Sequence, residues 1–117
     1  MTFQEYVKNN QKILQRIKDR VPGEDIIDMY YGTLDYATSR FNSILLKLSQ
    51  DKIKEQENIA EVKECYKAIQ DFYAYVQRFE DWPKFTRPLF KVVLHGIGTR
   101  RISKIKKLHN KLFDNAT

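Results

Sequence analysis

The sequence predicts an all-α fold, a compact helical bundle of three longer helices followed by a C-terminal pair of shorter ones. Apolar residues recur at steps of three and four along most of the chain, and proline and glycine gather at a few boundaries. No stretch alternates with the period of a strand strongly enough to compete with those helical patterns. At 117 residues there is room for one domain, because folding at this length buries about two-thirds of the surface of the unfolded chain.

Phe3, Tyr6, Val7, Ile13, Leu14, Ile17 and Val21 fall on one side of a first helix over residues 3–21. Val21-Pro22-Gly23 ends it, since Pro22 disfavours helical geometry at the residue before it. Glu24, Asp25 and Asp28 then suit the first turns of a second helix, where the dipole favours negative charge. That helix runs to about Leu48 through Ile27, Tyr30, Tyr31, Leu34, Phe41, Ile44 and Leu45. Gly32 within it suggests a local bend or a close helix approach.

The run SQDKIKEQEN, residues 49–58, is nearly all polar and reads as a loop or as helix on the solvent side. A third helix over about 58–80 carries Ile59, Val62, Tyr66, Ile69, Phe72, Tyr73, Val76 and Phe79. Asp81-Trp82-Pro83 closes it, and Thr86-Arg87-Pro88 is a fresh start with Thr86 near the N-cap. A short fourth helix is expected to end at Leu94, and a fifth to run from Thr99 to about Phe113 with Ile102, Ile105, Leu108 and Leu112 inward.

Composition narrows the classes of function. Seven Phe, seven Tyr and one Trp in so short a chain argue for a packed core and against disorder. No window approaches a membrane span, and Glu5, Lys8, Lys12, Arg16, Lys18 and Asp19 in the first twenty residues are unlike a signal peptide. A cytoplasmic protein is expected, or a nuclear or host-cytoplasmic one in a eukaryotic or viral setting. Cys65 is the single cysteine, and with only His95 and His109 beside it no zinc site can be assembled. No metal or cofactor is expected.

Charge is unevenly placed. Residues 1–83 hold 12 Lys/Arg against 14 Asp/Glu, whereas residues 84–117 hold 9 against 1. Within one domain the first segment therefore reads as a slightly acidic helical body, and the second as a basic end suited to an anionic partner.

At the centre of the basic segment lies Gly96-Ile97-Gly98. Glycines flanking an apolar residue between two amphipathic stretches allow a tight turn. Gly98 would then stand at the amino end of the last helix, where unsatisfied amides and the dipole favour a phosphate. Arg100, Arg101, Lys104, Lys107 and Lys111 follow at steps of mostly three and four, as a basic ridge.

Residues 94–105, LHGIGTRRISKI, resemble a helix-hairpin-helix motif, with the wider similarity spanning 89–108. The segment is most similar to the copy in the amino-terminal lyase domain of X-family DNA polymerases and to the related domain of a nuclease family. His95 stands where that motif usually has proline, and Ile102 where it has alanine. The resemblance implies non-sequence-specific DNA binding, with Gly96, Gly98, Thr99 and Arg100 holding phosphate; the ridge read from the spacing, Arg101, Lys104, Lys107 and Lys111, would add cations beside them. The resemblance also implies a Schiff-base nucleophile at Lys104, which keeps a lyase activity open as an expectation; no other catalytic constellation is visible.

The function expected is a small DNA-binding protein that grips the backbone of duplex or single-stranded DNA through its C-terminal end. The alternative is a protein-binding helical bundle of the inhibitor or immunity type, of phage or bacterial character. Tyr30, Tyr31, Tyr36, Tyr66, Tyr73 and Tyr75 speak for it, because tyrosine is enriched at interfaces. Attachment of the basic C-terminal helix to an anionic membrane surface ranks third.

Overall fold

The computed structural model describes residues 2–21, 23, 26–81 and 87–116, with side chains at all of these except 26, 87, 88, 90–95, 97 and 116. The described residues form four helices: α1 (Phe3–Asp19), α2 (Ile26–Leu48), α3 (Lys52–Glu80) and α4 (Arg87–Ala116). No strand occurs among the described residues. Pro22, Glu24, Asp25, Trp82, Pro83 and Thr86, read above as helix boundaries, lie outside the described residues.

Local chemistry fixes the starts of α1 and α3. The Thr2 hydroxyl accepts from the Glu5 amide at the start of α1, and the Asp51 carboxylate accepts from the Ile53 and Lys54 amides at the start of α3. Each cap satisfies donors that the first turn of a helix leaves unpaired. The polar run 49–58 is thus mostly helix: α3 begins at Lys52, and Ile53 on it is 68% exposed. Gly32 does not mark a close approach, since nothing lies within 4 Å of the position its Cβ would take.

The helices run alternately up and down. Asp28 at the start of α2 and Glu80 at the end of α3 meet the same Arg20 guanidinium, while Asn115 near the end of α4 donates to Asn58 near the start of α3. The α2/α3 pair is the short diagonal of a rhomb. Both touch α1 on one side and α4 on the other, and α1 and α4 do not meet among the described residues. The whole measures 51 × 26 × 21 Å.

The core lies along that diagonal. Ile27, Leu34, Phe41, Leu45, Leu48, Val62, Ile69, Phe72 and Val76 are completely buried. Rings meet edge to face at Tyr6–Tyr66, Tyr30–Phe72, Tyr31–Tyr73 and Tyr75–Phe79, the geometry the aromatic quadrupole favours. One end is tied by Arg20, which pairs with Asp28 at 2.6 Å and Glu80 at 3.0 Å and lies 4.1 Å from the Tyr31 ring centroid. Burial, and then the hydrogen bond it donates to Glu80, holds the Tyr31 phenol above its ordinary pKa.

The C-terminal segment departs from the expected arrangement. A short helix, a hairpin and a second helix are not formed; the chain passes through Gly96-Ile97-Gly98 as one 30-residue helix. Neither Gly96 nor Gly98 takes a positive φ. The reason is the stripe on which Gly98 falls, since Gly98, Ile105, His109 and Leu112 are buried and Ile102 is half-buried. These positions recur at three, four and seven, so an unbroken helix keeps them all on one face. At Gly98 the missing side chain is replaced from outside: a Cβ there would lie 3.0 Å from Tyr30 Cε1 on α2. Each glycine costs the helix about 1 kcal/mol relative to alanine, and at Gly98 close packing against Tyr30 offsets it.

Candidate nucleic-acid interface

A continuous α4 changes what its cations can do. Inside a helix each amide is bonded to the carbonyl four residues back. The amides at Gly98, Thr99 and Arg100 are therefore not available to a phosphate, and the main-chain nest implied by the helix-hairpin-helix resemblance is absent. Any anion must be held by side chains.

The structure sorts the eight sequence-predicted site residues into two groups. Gly96, Thr99, Arg100, Lys104 and Lys107 come together, lining one shallow groove along the outer face of α4. Ser103 lies between them in the same groove and was not among the predicted residues. Its signal was legible: helical spacing carried across the two glycines puts Gly96, Thr99, Arg100, Ser103, Lys104 and Lys107 on a single face. All six are exposed.

The other three face elsewhere. Gly98 is buried beneath Tyr30. Arg101 is half-buried, with its guanidinium 4.9 Å from the centroid of the Tyr75 ring on α3. Its Nε is buried without a hydrogen-bond partner among the described residues. Lys111 lies 3.7 Å from Glu61 on α3, with 61% of its side chain exposed, a pairing worth about 1 kcal/mol or less. Both cations therefore attach α4 to the body.

The groove owes its shape to residue size. Gly96, Thr99 and Ser103 form a low floor, and the long Arg100, Lys104 and Lys107 side chains stand beside it. No carboxylate lines it, and Asp114 is the single acidic residue in α4. Successive cations one helical turn apart make a strip of positive potential about 10 Å long.

Nucleophilic and metal chemistry find little elsewhere. Burial, followed by nearby Glu64, pushes the Cys65 thiol up to about 12, so it stays protonated. No group of three or more His, Cys, Asp or Glu residues could hold a metal ion among the described residues. Nor is any helix there long and apolar enough to cross a membrane. Comparison of the chain with protein-family models, with curated proteins and with solved structures gives no match.

Proposed function

We propose that the protein binds nucleic acid without sequence preference, DNA in the first instance, by laying the outer face of α4 along the phosphate backbone. The observation that carries this reading is the groove of Arg100, Lys104 and Lys107 over Gly96, Thr99 and Ser103, free of carboxylates. Cations flanking small hydroxylated residues make charge-assisted contacts to phosphate oxygens and position a protein on a strand without reading bases. Three neutralised phosphates give log Kobs against log[salt] a slope of roughly −3 on duplex and about −2 on single strands. Fluorescence anisotropy with labelled DNA at several salt concentrations tests this, and a slope near zero would remove the reading.

The protein-binding alternative has narrower support than the tyrosine content suggests. Tyr30, Tyr31 and Tyr66 are buried and Tyr73 and Tyr75 pack against the core, which leaves Tyr36, 67% exposed, as the one outward ring of the six. Met29, 59% exposed, stands two turns before it on α2. Recovery of one stoichiometric protein partner, unchanged by nuclease treatment and lost in Tyr36→Ala, is the result that would favour this class.

A further inference from the structure

A cleft of about 300 Å³ opens where α4 crosses α2 over the edge of α3, at the lower end of the range for small-molecule sites. Its walls are apolar: Ala37, Phe72 and Ile105 are buried, and half-buried Ile102 completes the α4 side. Among its lining residues the charged groups are Arg40 from α2 and Lys106 from α4, with none from α3 and no carboxylate from any helix. Arg40 is already held in place, because its Nη2 donates to Asn110 Oδ1 at 3.1 Å and its guanidinium lies 5.8 Å from the Phe113 ring centroid.

His109 also lines this cleft and is only 2% exposed. Its ring stacks on Phe41 with the centroids 6.1 Å apart and an interplanar angle of 17°. Nε2 is buried and has no hydrogen-bond partner among the described residues. Leaving a buried polar atom unpaired is destabilising, and a leucine would fill the same place without that cost. His109 thus brings an unpaired ring nitrogen to the wall of a cleft that carries the Arg40 guanidinium at its edge.

We propose that this cleft binds a small organic acid, its apolar body against Phe72, Ala37 and Ile105, its carboxylate on Arg40 and a ligand oxygen on His109 Nε2. Burial, and then the Arg40 charge, pushes the His109 pKa down to about 4. The imidazole is therefore neutral near pH 7 and offers Nε2 as a donor in one tautomer. The site is separate from the nucleic-acid face, since the α4 residues lining the two are rotated by about 120° around the helix axis. It stands whether or not α4 binds nucleic acid.

The test is an amide-detected NMR titration of the full chain with 3-phenylpropionate, compared with 3-phenylpropionamide and with inorganic phosphate. Saturable shifts at Thr33, Ala37, Arg40, Ile105 and His109 are expected, with the acid about tenfold tighter than the amide, as a charge-assisted bond gives. Arg40→Met should erase that preference, and His109→Phe should weaken both probes. Thr33→Phe, which narrows the cleft from the α2 side, serves as the blocking variant if His109→Phe does not fold. No saturable shift up to about 10 mM, equal affinity for acid and amide, or shifts confined to residues 100, 104 and 107 as with phosphate would each overturn the proposal.

Discussion

The two corner helices, α1 and α4, hold equivalent places on opposite sides of the α2/α3 diagonal, yet one is plain in the sequence and the other is not. Each turns cations outward: Lys8, Lys12 and Arg16 are exposed on α1, and Arg100, Lys104 and Lys107 on α4. Each also buries one polar residue in its inward stripe, Asn10 on α1 and His109 on α4. Asn10 donates through Nδ2 to the Thr38 carbonyl on α2 at 3.3 Å, while its Oδ1, like His109 Nε2, has no hydrogen-bond partner among the described residues. The difference lies in the stripes. That of α1 is unbroken, from Phe3 through Tyr6, Asn10 and Ile13 to Ile17, whereas that of α4 has a hole at Gly98 which Tyr30 fills from α2. A helix whose apolar face is completed by another helix looks like two helices when read alone.

The largest effect that would break this comparison concerns the outer faces. Arg100→Glu/Lys104→Glu/Lys107→Glu should weaken DNA binding by roughly two orders of magnitude at low salt, with the melting temperature little changed. The matching triple reversal on α1, Lys8→Glu/Lys12→Glu/Arg16→Glu, should weaken it far less. Equal losses in anisotropy titrations would mean that net charge, and not the α4 groove, holds the nucleic acid.

Acid should separate the corners next. The folded-state pKa of His109 lies near 4, below the 6.5 of an unperturbed imidazole, so the unfolded chain binds the proton more readily. The stability of the neutral, buried ring is fully present above about pH 6.5 and is lost as pH falls towards 4, a change of about 2–3 kcal/mol. Hydrogen exchange across this window should show α4 opening before α1. His109→Phe, which keeps the stacking on Phe41, should remove the pH dependence.

The glycines sharpen the comparison from inside the helix. Gly98→Val should cost about 1–3 kcal/mol by denaturant titration, because the added methyls meet the Tyr30 ring in a packed core. Gly96→Ala should stabilise by about 0.5–1 kcal/mol, since its Cβ would meet nothing within 4 Å and the backbone is helical. A hairpin with Gly96 at positive φ would give the opposite sign at that position, so this small change is the sharpest check on the course of α4. A change of similar size is expected where α1 is tied to the body: Arg20→Met leaves Asp28 and Glu80 without their shared partner, at about 1–2 kcal/mol given their partial exposure.

The all-α class, most of the inward residues of α1 to α3 and the basic character of the C-terminal segment were legible in the chain, because periodicity and charge are local properties; Val21, expected on the inward side of the first helix, is instead 84% exposed beyond its end at Asp19. Thr2 and Asp51, which start α1 and α3, are local signals as well. Tertiary structure alone decided that Gly96-Ile97-Gly98 continues a helix and that five of the six tyrosines serve the core. It alone gathered Arg40, Phe72 and His109 from three helices around one cleft. A glycine's conformation depends on what packs where its side chain is missing, and at Gly98 that neighbour, Tyr30, is 68 residues away in sequence.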